Sequence, residues 1–123
     1  MGEKNPDNKE SDILNITDKF TPIRKGLLEL VVLKVISTHK VYAADILMML
    51  AGTEFATQEG TLYPLLSRLR REGTVEYEWV ESAAGPPRKY YQLTVKGKEQ
   101  LASIGEYWDG LNDFIKNIGR NKK

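Results

Sequence analysis

Apolar and polar positions fall into helical periods along most of this chain, with a short interval of strand-like alternation between them. The clearest stretch is residues 57–73, TQEGTLYPLLSRLRREG. Leu62, Leu65, Leu66 and Leu69 recur at i, i+3, i+4 and i+7, while Thr61, Tyr63, Ser67, Arg68 and Arg71 fall away from that stripe. One face of a helix therefore packs and the other faces out. Thr57 is a candidate N-cap, Glu59 sits where the helix dipole favours an acid, and Gly73 is a stop signal. Pro64 deletes one backbone bond and presses its ring on the carbonyl of Gly60, the least crowded residue available.

Upstream, LLELVVLKVI at 27–36 has only Glu29 and Lys34 as polar members. Such a helix must be covered on nearly all sides, either at the centre of the fold or against a second subunit. Pro22 suits its first turn. Residues 37–41 make a short connection, and 42–51, YAADILMMLA, form a second helix ended by Gly52. The first twelve residues, MGEKNPDNKESD, have no hydrophobic period and are expected to be disordered.

Downstream, TVEYEWV sets Val75, Tyr77 and Trp79 against Glu76 and Glu78, and RKYYQL follows after SAAGPP. Gly85, Pro86 and Pro87 break regular structure, so a hairpin with a stiffened tip is predicted, with Arg88 and Lys89 on its returning edge. Tyr90 and Tyr91 leave their strand on opposite faces, one toward the core. Thr94 can cap a last helix in which Leu101, Ile104, Trp108, Leu111, Ile115 and Ile118 recur at alternating spacings of 3 and 4. That narrow seam calls for a partner, most simply a second copy of the chain. Two helices joined by a short linker and followed by a hairpin form a winged helix-turn-helix. The predicted class is mainly α (α+β), with a two-stranded β-hairpin wing and a long C-terminal dimerisation helix. The predicted divisions are a tail at 1–12, the winged domain at 13–94, the dimerisation helix at 95–118 and a basic, frayed tail at 119–123.

Composition narrows the function. The 123 residues suit one domain with appendages, and Lys+Arg 18 against Asp+Glu 17 leaves a net charge of only +1. Residues 1–22 carry −2 of this and the remainder +3, so any basic footprint is local. With no cysteine there are no disulfides, thiolate metal sites or cysteine nucleophiles, which fits a reducing cytoplasm. No apolar run approaches the roughly 18 residues of a membrane span, and the N-terminus lacks the apolar core of a secretory signal. A cytoplasmic protein with no membrane partner is expected. His39, the single histidine, has no cysteine and no evident acid partner, so neither a nucleophilic triad nor a zinc site can be assembled. No phosphate-loop or dinucleotide motif occurs, and neither an enzyme activity nor a cofactor is expected.

In RKGLLELVVLKVIS, EGTLYPLLSRLRREG and GPPRKYYQLTVKGKEQL, in that order and spacing, the chain resembles the PadR family of bacterial transcriptional regulators, in its short form with a single C-terminal helix. The resemblance covers roughly residues 13–118. It implies a winged helix-turn-helix repressor that dimerises through the C-terminal helix, binds a short inverted-repeat operator and associates with the nucleoid when bound. One departure stands out: where the family commonly has a His-Gly-Tyr-Glu type sequence, this chain has Tyr42-Ala43-Ala44-Asp45. Some relatives bind planar aromatic compounds at the dimer interface against a tryptophan of the last helix. Trp108 stands at the matching position, and Ile23, Gly26 and Leu30 would line the same space.

A helix fits the major groove and can offer polar side chains to base edges. Gln58 and Thr61 are the candidates for base contact; Tyr63 and Arg68 are candidates for phosphates, as are Arg88 and Lys89 from the wing. The same surface could instead serve a protein partner, since a fold does not fix a function. Likewise Trp108 can be simple seam packing, the ordinary use of a buried aromatic.

Overall fold

The computed structural model describes residues 6–120, with side chains from residue 19 onward. In chain order the elements are α1 (Pro6–Thr38), β1 (Val41–Tyr42), α2 (Ala43–Leu50), α3 (Glu59–Arg71), β2 (Val75–Ser82), β3 (Gly85–Leu93) and α4 (Val95–Asn117). The α+β winged arrangement is as predicted, except that the sheet has three antiparallel strands in the order β1-β3-β2 rather than two. Strand β1 pairs Val41 with Tyr91 and Tyr42 with Tyr90. Two residues carry no alternation of their own, so only the pairing reveals them as a strand. No helix among the described residues is long and apolar enough to cross a membrane.

Helix α1 starts earlier than predicted. Of the tail expected to be disordered, residues 1–5 lie outside the described residues and 6–12 are already helical. A proline at the first helical position loses only an N–H that has no intrahelical partner, so Pro6-Asp7 is itself a helix start. Pro22 consequently lies inside the helix, not in its first turn. It forgoes one helical backbone bond, at a position that is itself exposed.

The core gathers Val32, Leu33 and Ile36 of α1, Ile46 and Leu50 of α2, Leu62, Leu66 and Leu69 of α3, and Val75, Tyr91 and Leu93 of the sheet. Each fully buried aliphatic side chain contributes roughly 1.5–3 kcal/mol of transfer free energy. The expected covering of α1 on nearly all sides is met only in part within one chain, because Leu27, Leu28, Leu30, Val31 and Val35 remain half-buried.

Gly85, Pro86 and Pro87 do not interrupt the wing as expected; they begin β3. Between the pairs Val80↔Arg88 and Ser82↔Gly85, Glu81 alone opposes Pro86 and Pro87, which is the count of a β-bulge. Strand β1 reaches only Tyr90 and Tyr91, so this part of β3 has a free edge that tolerates residues without an N–H.

At the other end of the wing the chain is tightly joined to α3 and α4. Gly73 (φ +83°) takes the left-handed conformation that ends α3. Thr94 caps α4 as predicted, its Oγ1 accepting from the Gly97 N–H at 2.9 Å while donating to the Gly73 carbonyl at 2.6 Å. A Cβ on Gly97 would lie 2.0 Å from the Thr74 carbonyl oxygen, so only glycine allows α4 this close to the start of β2. Leu101 and Ile104 then pack against the core, whereas Trp108, Leu111 and Ile115 are exposed on the single chain. Ile118 falls just past the helix as its C-cap, and Lys122 and Lys123 of the basic tail lie outside the described residues.

Candidate nucleic-acid interface

Helix α3 buries Leu62, Leu66 and Leu69 and half-buries Leu65, which turns Gln58, Thr61 and Tyr63 outward. The cap is not Thr57, whose Oγ1 donates to the Phe55 carbonyl at 2.7 Å. Gln58 holds the N-cap position through its extended backbone, and its side chain makes no capping bond. The exposed Gln58 amide thus stays available to a ligand, with donor and acceptor groups of the kind that pair with adenine.

The wing brings two cations to the same end of the domain. The Arg88 guanidinium lies 5.0 Å from the Tyr42 ring centroid, and that ring stacks on Tyr90 at 3.9 Å. Lys89 leaves toward the other side, its Nζ 4.5 Å from the Tyr77 ring and 5.3 Å from the Trp79 ring. Cations over aromatic faces are held in place while their charge stays unneutralised. Neither forms an ion pair among the described residues. Tyr63, Arg88 and Lys89 line one cleft of about 420 Å³, together with Tyr42, Ala43, Ala44, Trp79, Pro87 and Tyr91. The neighbouring Tyr42 hydroxyl raises the pKa of Tyr90 above the ordinary tyrosine value, and burial raises that of Tyr91.

Gln58 and Thr61 line a different cleft, on the α1 side of α3. Arg68 belongs to neither. Its guanidinium donates to Glu29 and to Glu72, both at 3.0 Å, and these bonds, Glu29 first, hold its pKa above the ordinary arginine value. Arg68 therefore fastens α3 to α1.

The expected ligand residues are not drawn together within one chain. A cleft of about 730 Å³ between α1 and α4 is lined by Leu30 but not by Ile23, Gly26 or Trp108. Gly26 lines another cleft beside Arg68, and Trp108 and Ile23 are exposed. Sequence reasoning missed Tyr42 and Trp79 as supports for the wing cations. The signal for Tyr42 was its departure from the usual family residue. In the same turn Asp45 accepts a hydrogen bond from the Tyr42 N–H at 3.0 Å, so the acid that this chain keeps serves to start α2.

The family model for the transcriptional regulator PadR-like family matches residues 32–103, from the last two turns of α1 into α4. Among solved structures, a PadR-like transcription factor from Bacteroides fragilis is 41% identical, with 83% of this chain and 99% of that one covered and a TM-score of 0.71. A PadR-like transcriptional regulator from Bacillus cereus is 32% identical over 83% of this chain and 100% of its own, also with a TM-score of 0.71. A PadR family transcriptional regulator from Eggerthella lenta is 27% identical, covers 93% of this chain and 98% of its own, and reaches a TM-score of 0.76. The chain belongs to the PadR-like family. It is a DNA-binding transcriptional regulator and not an enzyme.

Proposed function

We propose that the protein is a homodimeric repressor in which two copies of α3 enter successive major grooves of an inverted-repeat operator. Gln58 and Thr61 meet base edges, while Tyr63, Arg88 and Lys89 hold phosphates beside them. Arg68, committed to two carboxylates, acts in this scheme by holding α3 in position. The observation that carries the reading is the pairing of an outward polar α3 face with two unneutralised wing cations at one end of the domain. The seam from Leu101 to Ile118 supplies the dimer contact, and its exposed half gives a second copy an apolar surface to cover.

A planar aromatic effector is the further part of this proposal. Trp108 is partly exposed, and the α1–α4 cleft sets Leu30, Val31, Val35, Leu101 and Ala102 among charged residues of both helices. Such a ligand acts only through different affinities for the DNA-competent and incompetent states. Titrating planar aromatic compounds against tryptophan fluorescence, with Trp108→Ala as control, is expected to lose the quenching in the variant; unchanged quenching removes Trp108 from the site.

The competing use of the same surface, docking a protein partner, is separated by Arg88→Glu. Operator DNA binding is expected to disappear in that variant with the dimer intact. Retention of operator affinity would remove the wing from the interface.

A further inference from the structure

Helix α3 has two flanks, and the wing supplies cations to only one of them. On the other, Arg24 and Lys25 of α1 line a cleft of about 320 Å³ with Gln58 and Thr61, the two residues assigned to base edges. Lys25 and Thr61 also line the adjoining cleft, where Arg68 and Arg71 follow. The two clefts thus join in a strip running beside α3, on the side away from Arg88 and Lys89.

These cations are not absorbed by the fold. Arg24 donates to the Thr21 hydroxyl at 3.0 Å, and neither Arg24 nor Lys25 forms an ion pair among the described residues. Arg68, in the same strip, is held by two carboxylates and shows what neutralisation looks like here. Glu54 is the one acid lining the first cleft, where Arg24 and Lys25 outnumber it. In the adjoining cleft Glu29 is already bonded to Arg68.

A major groove is about 12 Å wide and is bounded by two phosphate strands, while a helix with its side chains is about 10–12 Å across. A helix seated in that groove therefore has a phosphate strand on each side. We propose that α1 is a third DNA-contact element, with Arg24 and Lys25 binding the phosphate strand across the major groove from the wing. The inference rests on the operator-binding reading above and extends it to a flank that the wing does not reach. These contacts position the protein and carry no sequence information.

The test uses the full chain and a random-sequence DNA duplex, whose binding depends on phosphates alone. Affinity is measured between about 50 and 200 mM salt, and the slope of log K against log salt falls by about 0.9 for each phosphate that the protein no longer neutralises. Arg24→Ala/Lys25→Ala is expected to flatten the slope by about 1.8 per protomer, Arg88→Ala by about 0.9, and Lys25→Arg to keep the wild-type slope. Circular dichroism confirms that each variant is folded. A wild-type slope in the folded double variant, with Arg88→Ala still flattened, would overturn the α1 contact alone. Absence of salt-dependent binding by the wild-type protein would overturn the operator reading together with it.

Discussion

Helices α3 and α4 carry the same kind of apolar stripe, written in the same spacings, and end in opposite situations. Leu62, Leu66 and Leu69 of α3 are at most 1% exposed, covered entirely by the chain's own α1, α2 and sheet. In α4 the stripe is covered through Ile104 and then emerges, leaving Trp108 38%, Leu111 37% and Ile115 60% exposed. Periodicity shows which face of a helix packs, but not whether the covering surface lies in the same molecule. Helix α3 is complete within one chain and free to present its polar face, whereas α4 leaves the second half of its stripe uncovered by its own chain. In the proposed dimer a second α4 covers it.

The sharpest way to break this contrast is to damage each stripe and follow protein concentration. Leu66→Ala should cost about 2–5 kcal/mol in urea unfolding, because the cavity forms inside a closed core. Ile115→Glu should leave the far-ultraviolet signal of the monomer intact and weaken self-association at least about 100-fold, close to 3 kcal/mol, in sedimentation equilibrium. If it destabilised the monomer as Leu66→Ala does, the C-terminal half of α4 would be packed within its own chain and the contrast would fail.

Smaller effects probe single contacts that hold α4 and α3 in place. Thr94→Ala removes the bond to Gly97 N–H and should cost about 1 kcal/mol in thermal unfolding. Arg68→Ala breaks two partly exposed ion pairs and should cost no more than about 1 kcal/mol, falling further in high salt. An Arg68→Ala variant that lost DNA affinity at unchanged stability and an unchanged salt slope would place its role in orienting α3.

Most of this architecture was legible because its signals are local. The leucine stripe of α3, the Gly73 stop, the Thr94 cap and the alternation around Tyr77 each report on a few neighbouring residues. What escaped is set by distant partners. Strand β1 exists only through Tyr90 and Tyr91, some fifty residues on. The prolines of the wing are tolerated because a third strand stops short of them, which no dipeptide rule records. Thr57 has the residue type of an N-cap, but its hydroxyl turns back to the Phe55 carbonyl and the cap position falls to Gln58, which has no side-chain capping bond to announce it.

The site was legible to a similar depth. Gln58, Thr61, Tyr63, Arg88 and Lys89 are outward or cleft-lining side chains, and their positions follow from helix and strand period. Arg68 looked equally available in sequence, because its carboxylates sit one turn along the same helix and on α1, and the contact with Glu29 is tertiary. Arg24 and Lys25 carry no local signal for the converse reason: only the packing of α1 against the start of α3 places them beside Gln58 and Thr61. The proposed ligand residues remain a matter for the dimer, since one chain leaves Trp108 outside the α1–α4 cleft.

Genome-wide mapping of bound DNA in cells expressing the protein tests the central claim most directly. A short pseudo-palindromic sequence should be enriched, with half-sites about one helical turn apart, and the enrichment should vanish for Arg88→Glu and for Ile115→Glu. Folded, dimeric protein with no enriched site anywhere would contradict the account.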